Sequence, residues 1–258
     1  MQNLTVTLIQ TSLHWHDAEA NRNQFDQLIP VGKTPTDLVV LPEMFTTGFT
    51  MDAAKNAETM DGASIAWMRQ VASDRGSTLC GSLIIEEDQR FYNRLIWMSP
   101  DGDCRHYDKR HLFRMAGEDE HFAAGTQRQI FELNGWRICP LICYDLRFPV
   151  WSRGVNAYDL MLFVANWPAA RRSAWQMLLP ARAIENQCFA LGVNRIGTDG
   201  NDVRYSGDSA VHDYLGNPLL NCGDQACIET VCLDGSALER YRKKFPAYLD
   251  ADRFEISD

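Results

Sequence analysis

The sequence is short of positive charge. Its 25 lysines and arginines face 34 aspartates and glutamates, a formal net charge of −9. A general binder of nucleic acid or of an anionic membrane surface needs a positive face, so this balance excludes that class. It also has a local consequence: an anionic substrate must be captured by particular arginines, because the overall field repels it. Long apolar runs are missing too. None approaches the roughly 20 residues of a membrane-spanning helix. The opening stretch, MQNLTVTLIQTSLHWHD, has no basic start, no extended apolar segment and no small-residue cleavage signature, which leads us to expect a cytoplasmic protein with no membrane partner. The eight cysteines form no Cys-x-x-Cys pair and show no zinc-like spacing with histidine. Most sit in strand-like apolar runs, as Cys80 does in STLCGSLII, and read as buried free thiols of a reducing compartment.

Internal repeats, low-complexity segments and Gly/Ser linkers are also absent, so we expect one domain over residues 1–258. Apolar content of 45% and charged content of 23% exclude a disordered chain. The pattern alternates short apolar runs with longer amphipathic ones. Strands are expected at 4–10, 36–43, 77–87, 91–99, 137–143, 159–167, 188–197, 207–220 and 225–234. The runs 77–87 and 91–99 are joined by a short polar turn and form a hairpin, and a Gly-Asn turn falls at 216–217. Helical spacing marks 17–29, 64–76 with Gly76 as its stop, and 173–187, where Pro180 should kink or restart the helix. Helix-connected and hairpin-connected strands together predict a layered α/β domain with mixed sheets. Residues 235–258 are expected as a C-terminal tail whose aromatics dock it on the body or on a partner subunit.

Three reactive side chains stand where buried runs end: Glu43 after DLVVLP, Lys109 in YDKRHLF and Cys143 after RICPLI. Strand ends of α/β sheets present side chains into crevices. A thiol is a strong nucleophile, a carboxylate can take and return its proton, and an ammonium can hold an oxyanion. Together they suit acyl transfer from a carbon–nitrogen bond, with water releasing a thioester. Singly, each has a plainer reading: a loop glutamate, a solvated lysine, a packed cysteine.

The segments LPEMFTTGF, YDKRHLF and LICYDLRFPVWSR, in this order and spaced by 66 and 34 residues, resemble the Glu, Lys and Cys motifs of the nitrilase superfamily of carbon–nitrogen hydrolases. The stretches 164–197 and 207–219 extend the resemblance to about residue 235, and the YDLRFPVW and NWP forms resemble its ω-amidase-like (Nit-type) branch. The resemblance implies an α-β-β-α sandwich of two mixed sheets, commonly a homodimer, with no metal or organic cofactor. It implies Cys143 as nucleophile, Glu43 as general base, and Lys109 with the Tyr144 N–H as oxyanion donors. It also implies a second glutamate after the lysine motif. Glu118 is favoured for that place over Glu120 by its distance from Lys109. The strand is expected to turn sharply at Cys143 into a helix whose N-terminus favours the thiolate, with Asp145 and Arg147 paired to hold the turn. If Lys109 lowers the thiol pKa, alkylation should proceed below about 8.5.

The implied substrate is an ω-amide of a 2-oxo dicarboxylic acid, such as 2-oxoglutaramate or 2-oxosuccinamate. Arg171 or Arg172 is the candidate for its carboxylate, and Phe45, Tyr144 and Trp167 are candidates for the pocket wall. His111, beside the lysine motif, is placed to shape the site. The rival readings are a nitrilase, carbamoylase or aliphatic amidase with the same triad, a redox-active thiol protein, and a non-catalytic interaction protein.

Overall fold

A computed structural model describes residues 1–30, 36–154 and 156–256; residues 257 and 258 of the expected tail lie outside them. The chain lays down β1 (Leu4–Gln10), β2 (Leu38–Val40), β3 (Thr78–Glu87), β4 (Arg90–Met98) and β5 (Cys104–Asp108). It continues with β6 (Phe131–Leu133), β7 (Trp136–Ile142), β8 (Leu160–Ala165) and β9 (Phe189–Asn194). The small ribbon of β10 (Ile196–Thr198) and β11 (Arg204–Ser206) comes next, then β12 (Ala210–His212), β13 (Pro218–Asn221) and β14 (Cys227–Leu233).

Two six-stranded sheets result, in the orders β14-β1-β2-β3-β4-β5 and β13-β12-β9-β8-β7-β6. Each has a parallel centre, β1-β2-β3 in one and β7-β8-β9 in the other, flanked by antiparallel strands. Both sheets are therefore mixed. Alternation along the strands sorts their faces. Leu38 and Val40 of β2 face the core shared with Ile138 and Ile142 of the second sheet. Val39, between them, faces the outer layer with Phe25, Ile65 and Met68 from the helices Ala18–Leu28 and Ala63–Arg75. The helix Arg172–Asn186 covers the second sheet through Trp175, Leu179 and Ala183. Trp175 comes so close to β9 that a Cβ on Gly192 would lie 2.5 Å from its ring. The layers are α-β-β-α.

Local signals explain the boundaries. Asp17 caps its helix by accepting from Ala20 N–H at 2.9 Å, and Gly76 ends the next in the left-handed region at φ 62°. Other expectations need correction. Pro180 does not restart its helix, which runs unbroken from Arg172 to Asn186 with Trp175, Leu179 and Ala183 packed on the sheet on both sides of the proline. The run 188–197 is not one strand: β9 stops at Asn194 and the chain leaves the sheet for the ribbon. The strand expected over 207–220 begins only at Ala210, since Gly207 and Asp208 both take positive φ. Cys222 and Cys227 are joined as a disulfide in the β13–β14 turn and are not free thiols. Cys80, Cys139, Cys143 and Cys188 are buried and free, while Cys104 is half-buried and Cys232 exposed. The segment after β14 forms the helix Gly235–Lys244, and its Tyr241 stacks on Tyr214 of the body at 4.5 Å between ring centroids.

Candidate active site

Glu43, Lys109 and Cys143 come from the ends of β2, β5 and β7 and meet in the interior. Glu43 and Lys109 are fully buried, with Lys109 Nζ donating to Glu43 Oε1 at 2.9 Å. Glu118 completes the cluster by accepting from the same ammonium through both carboxylate oxygens, each at 2.9 Å. Its Oε2 also accepts from the Phe113 N–H at 2.6 Å, which ties the loop after Lys109 to the lysine itself. Glu120, the alternative, is exposed. Phe49 stands 5.1 Å from the ammonium with its ring face toward it.

Two asparagines that the sequence reading passed over hold the carboxylates. Asn93, on β4, donates to Glu43 Oε1 at 2.7 Å and to Glu118 Oε1 at 3.3 Å, and its own Oδ1 accepts from Ser82 at 2.9 Å. Asn166, one residue past β8, donates its N–H to Glu43 Oε2 at 2.7 Å and its side-chain amide to the Glu43 carbonyl. A signal was present: both are lone amides in apolar runs, FYNRLIWM and LMLFVANW.

Cys143 is the first residue after β7 and has φ 42°, a region disfavoured for any residue with a Cβ. The strand does end in a sharp turn. The next element is a five-residue 3₁₀ turn, Cys143–Arg147, rather than a helix long enough to build a dipole, so the expected dipole contribution falls away. The expected Asp145–Arg147 pair does not form either. Asp145 is fully buried and accepts from Tyr107 O–H at 2.8 Å, Ile142 N–H at 3.0 Å and His111 N–H at 3.0 Å, with the His111 ring nitrogen 2.7 Å away. It thereby fastens the turn that carries Cys143 to the loop that carries Lys109. Arg147 points the other way and lies 5.1 Å from the Trp167 ring.

The thiol differs from expectation. Burial pushes the Cys143 pKa well above the ordinary thiol value, and the charge of Glu43 adds to this. Lys109 pulls the other way and does not prevail. Cys143 thus rests as a neutral thiol beside a carboxylate, not as a preformed thiolate. Lys109 is the opposite case. Burial works to discharge the ammonium, but Glu118 first and Glu43 next raise its pKa above the ordinary lysine value, so it stays charged.

A small chamber of about 30 Å³ opens over Cys143, walled by Tyr144, Asn166, Trp167 and Phe113. Arg147 and Arg171 also reach it. Beyond lies a wider mouth of about 560 Å³, edged by Trp15, His16, Phe49, Met51 and Tyr205. Phe113, Pro168 and Arg171 belong to both and mark the junction. Of the candidate pocket residues, Tyr144, Trp167 and Arg171 are thus present. Phe45 is not: it is wholly buried under the first sheet against Phe25 and Trp67. Arg172 is not either, because its guanidinium is taken by Asp208 in a two-point contact, both bonds at 2.7 Å. His111 stacks on Phe148 at 3.8 Å and stands behind Tyr144 rather than in the chamber. Among the described residues no cluster of His, Cys, Asp and Glu could hold a metal ion.

The model of the carbon-nitrogen hydrolase family matches residues 5–243. The chain is 48% identical over 257 residues to the omega-amidase YafV of Escherichia coli strain K12, covering 99% of this chain and 100% of that protein. It is 30% identical over 251 residues to a 2-oxoglutaramate amidase of Bacillus subtilis, covering 95% and 96%. A CN-hydrolase superfamily protein from Xanthomonas campestris, solved with an arsenic adduct in its active site, superposes with a TM-score of 0.97 at 46% identity over 100% of both chains.

Proposed function

The chain belongs to the carbon–nitrogen hydrolase family, and from that premise we propose that it is an ω-amidase, hydrolysing the terminal amide of a 2-oxo dicarboxylic acid such as 2-oxoglutaramate or 2-oxosuccinamate. The full-length likeness to an omega-amidase and to a 2-oxoglutaramate amidase supports this substrate. The observation that carries the chemistry is the buried Glu43–Lys109 ion pair, whose charges act on the Cys143 thiol that lines the chamber.

The proposed course begins with Cys143 Sγ attacking the amide carbon while Glu43 takes the thiol proton. The neutral thiol needs a base beside it, and the Glu43 carboxylate lies close enough for its charge to raise the thiol pKa. The carbonyl oxygen becomes an oxyanion, held by the Lys109 ammonium and the backbone N–H of Tyr144. Glu43 then passes its proton to the amide nitrogen, the carbon–nitrogen bond breaks, and ammonia leaves a Cys143 thioester. Water attacks the thioester with Glu43 again as base, releasing the dicarboxylate and the thiol. Glu118 positions Lys109 throughout. The raised thiol pKa weighs against the redox-sensor reading, which calls for a readily ionised cysteine.

A homodimer belongs to the same proposal. Val150, Met177 and Ile184 are exposed apolar side chains on the outer helical layer of the second sheet, as a self-complementary contact requires. So does a cytoplasmic site of action. Among the described residues no helix is long and apolar enough to cross a membrane.

The test is ammonia release from 2-oxoglutaramate, beside Cys143→Ala and a panel of simple amides, nitriles and N-carbamoyl compounds. We expect rapid release that depends on Cys143 and falls away across the panel. Cys143-dependent turnover of another panel member without 2-oxoglutaramate would keep the chemistry and overturn the substrate.

A further inference from the structure

Several arginines of this acidic chain are held by carboxylates. Arg94 pairs with Glu87 and Asp108, Arg137 and Arg242 with Asp159, Arg182 with Glu185, and Arg172 with Asp208. The two that reach the Cys143 chamber are different. Neither Arg147 nor Arg171 has a carboxylate partner among the described residues. Each is instead laid on an aromatic face: Arg147 on Trp167 at 5.1 Å, Arg171 on Phe113 at 4.9 Å. Arg171 also donates to the Met115 sulfur at 3.0 Å, a weak acceptor that an anion would displace. Stacking fixes the plane of a guanidinium while leaving its N–H edge available.

One residue organises the pair. The Trp167 ring underlies Arg147, and its indole N–H donates to the Arg171 carbonyl at 2.8 Å. The neighbouring Arg172 is drawn off by Asp208, so the tandem arginines part, one toward the chamber and one away. Two cations without a carboxylate among the described residues thus stand at an otherwise largely apolar chamber, on a chain of charge −9.

Resting on the ω-amidase reading, we propose that Arg147 and Arg171 together form the site for the 2-oxo carboxylate head of the substrate and reject its 2-amino counterpart. A 2-oxo carboxylate offers three coplanar oxygens, two on the carboxylate and one on the ketone, which suit two planar N–H forks. An amino acid such as glutamine presents an ammonium at the same carbon, and two guanidinium groups repel it. The chamber has room for little more than the amide end, so the head of a five-carbon substrate falls at the junction with the mouth, where Arg171 stands.

The experiment compares Arg147→Met, Arg171→Met and Arg147→Lys with the unaltered enzyme on 2-oxoglutaramate, glutaramate, glutamine and valeramide. Each methionine variant should raise KM for 2-oxoglutaramate about tenfold or more, with kcat changed far less. The preference in kcat/KM for 2-oxoglutaramate over valeramide should fall by about 10- to 100-fold, and that over glutamine should shrink too. Arg147→Lys keeps the charge without the fork and should recover part of the loss, which also covers a methionine variant that fails to fold. Unchanged preferences, or a proportional loss on all four amides, would overturn the site. If the unaltered enzyme leaves 2-oxoglutaramate intact but turns over valeramide, the substrate reading fails separately. The arginine site then stands or falls on calorimetric titration of 2-oxoglutarate into Cys143→Ala: binding abolished by Arg147→Met supports it, and binding absent or indifferent to that change overturns it.

Discussion

Two buried ionic clusters occupy opposite ends of the second sheet's parallel centre, and they are built to opposite rules. At the N-terminal end of β8, Asp159 lies between two arginines. Arg137 reaches it through Nε at 3.0 Å and Nη2 at 2.8 Å, and Arg242 reaches it from the C-terminal helix. The remaining donors of Arg242 go to the carbonyls of Gln187 at 2.8 Å and Tyr158 at 2.6 Å. Burial pushes the Asp159 carboxyl up, but the Arg137 bonds and the Arg242 charge outweigh it and hold the group below the ordinary value. At the other end, Lys109 lies between two carboxylates, Glu43 and Glu118, with a neutral thiol beside them and a chamber above. Here the negative charges exceed the positive, and Asn166 Oδ1 is left without a partner. The first cluster is closed and fastens the tail to the body. The second has more carboxylates than cations and lies beside the chamber that Cys143 and Asn166 line. Desolvating charges is costly in both places, and only the second adjoins the Cys143 chamber.

The largest expected effect is on turnover. Cys143→Ala and Glu43→Gln should each lower kcat/KM for the amide substrate by about 10⁴-fold or more, since the members of such a unit fail together. Their effect on stability sharpens the comparison. Glu43→Gln removes one of two carboxylates crowded on a single ammonium and keeps an acceptor for the Asn166 N–H. Its midpoint of denaturation should stay where it is or rise. A large loss of stability with Glu43→Gln would mean that the second cluster, too, exists to hold the fold.

Asp159→Asn should do the reverse. It leaves two arginines facing each other without their anion, a change that costs about 3–5 kcal/mol when the pair is fully buried. Arg137 is partly exposed, so the lower end applies: about 3 kcal/mol, or roughly 6–10 °C in Tm for a chain of this size. Amide turnover per folded molecule should be retained. Denaturant titration and active-site counting separate the two quantities, and loss of turnover in the folded fraction would break the distinction between the clusters.

How much of this the sequence carried depends on distance along the chain. Most of each sheet's strands, the capped helices and the positions of Glu43, Lys109 and Cys143 come from runs of a few residues, where the apolar period and the punctuating residue lie side by side; the edge strands β5 and β6 were not among them. What escaped was set by residues far apart. Asp145 and Arg147 look paired because they are two apart, yet the partners of Asp145 are Tyr107 and His111, 38 and 34 residues away. Arg171 and Arg172 look equivalent until Asp208 chooses one. Phe45 reads as a pocket residue from its place beside Glu43, but the chain turns there: Met44 has φ 43°, and the ring goes into the outer layer. The thiol pKa escaped for the same reason, since the cation nearest in the motif pattern is outweighed by burial and by a carboxylate 100 residues earlier.

The smallest predicted effect tests that last point. Alkylation follows the thiolate fraction. A raised Cys143 pKa keeps the thiol protonated through neutral pH, so its reaction with iodoacetamide should accelerate only above about 8.5, where ordinary thiols have already ionised. Glu43→Gln removes the negative charge that holds the proton and should move the profile down. Lys109→Met removes the one opposing cation and should move it up. Asp159→Asn, at the other end of the sheet, should leave it unmoved. Peptide-resolved mass spectrometry separates Cys143 from the other free cysteines, with exposed Cys232 reporting that the reagent is competent. A profile centred below 8.5 in the unaltered protein would mean that Lys109 prevails over burial and Glu43. The nucleophile would then rest as a thiolate, and the proton transfer assigned to Glu43 would belong to the leaving nitrogen alone.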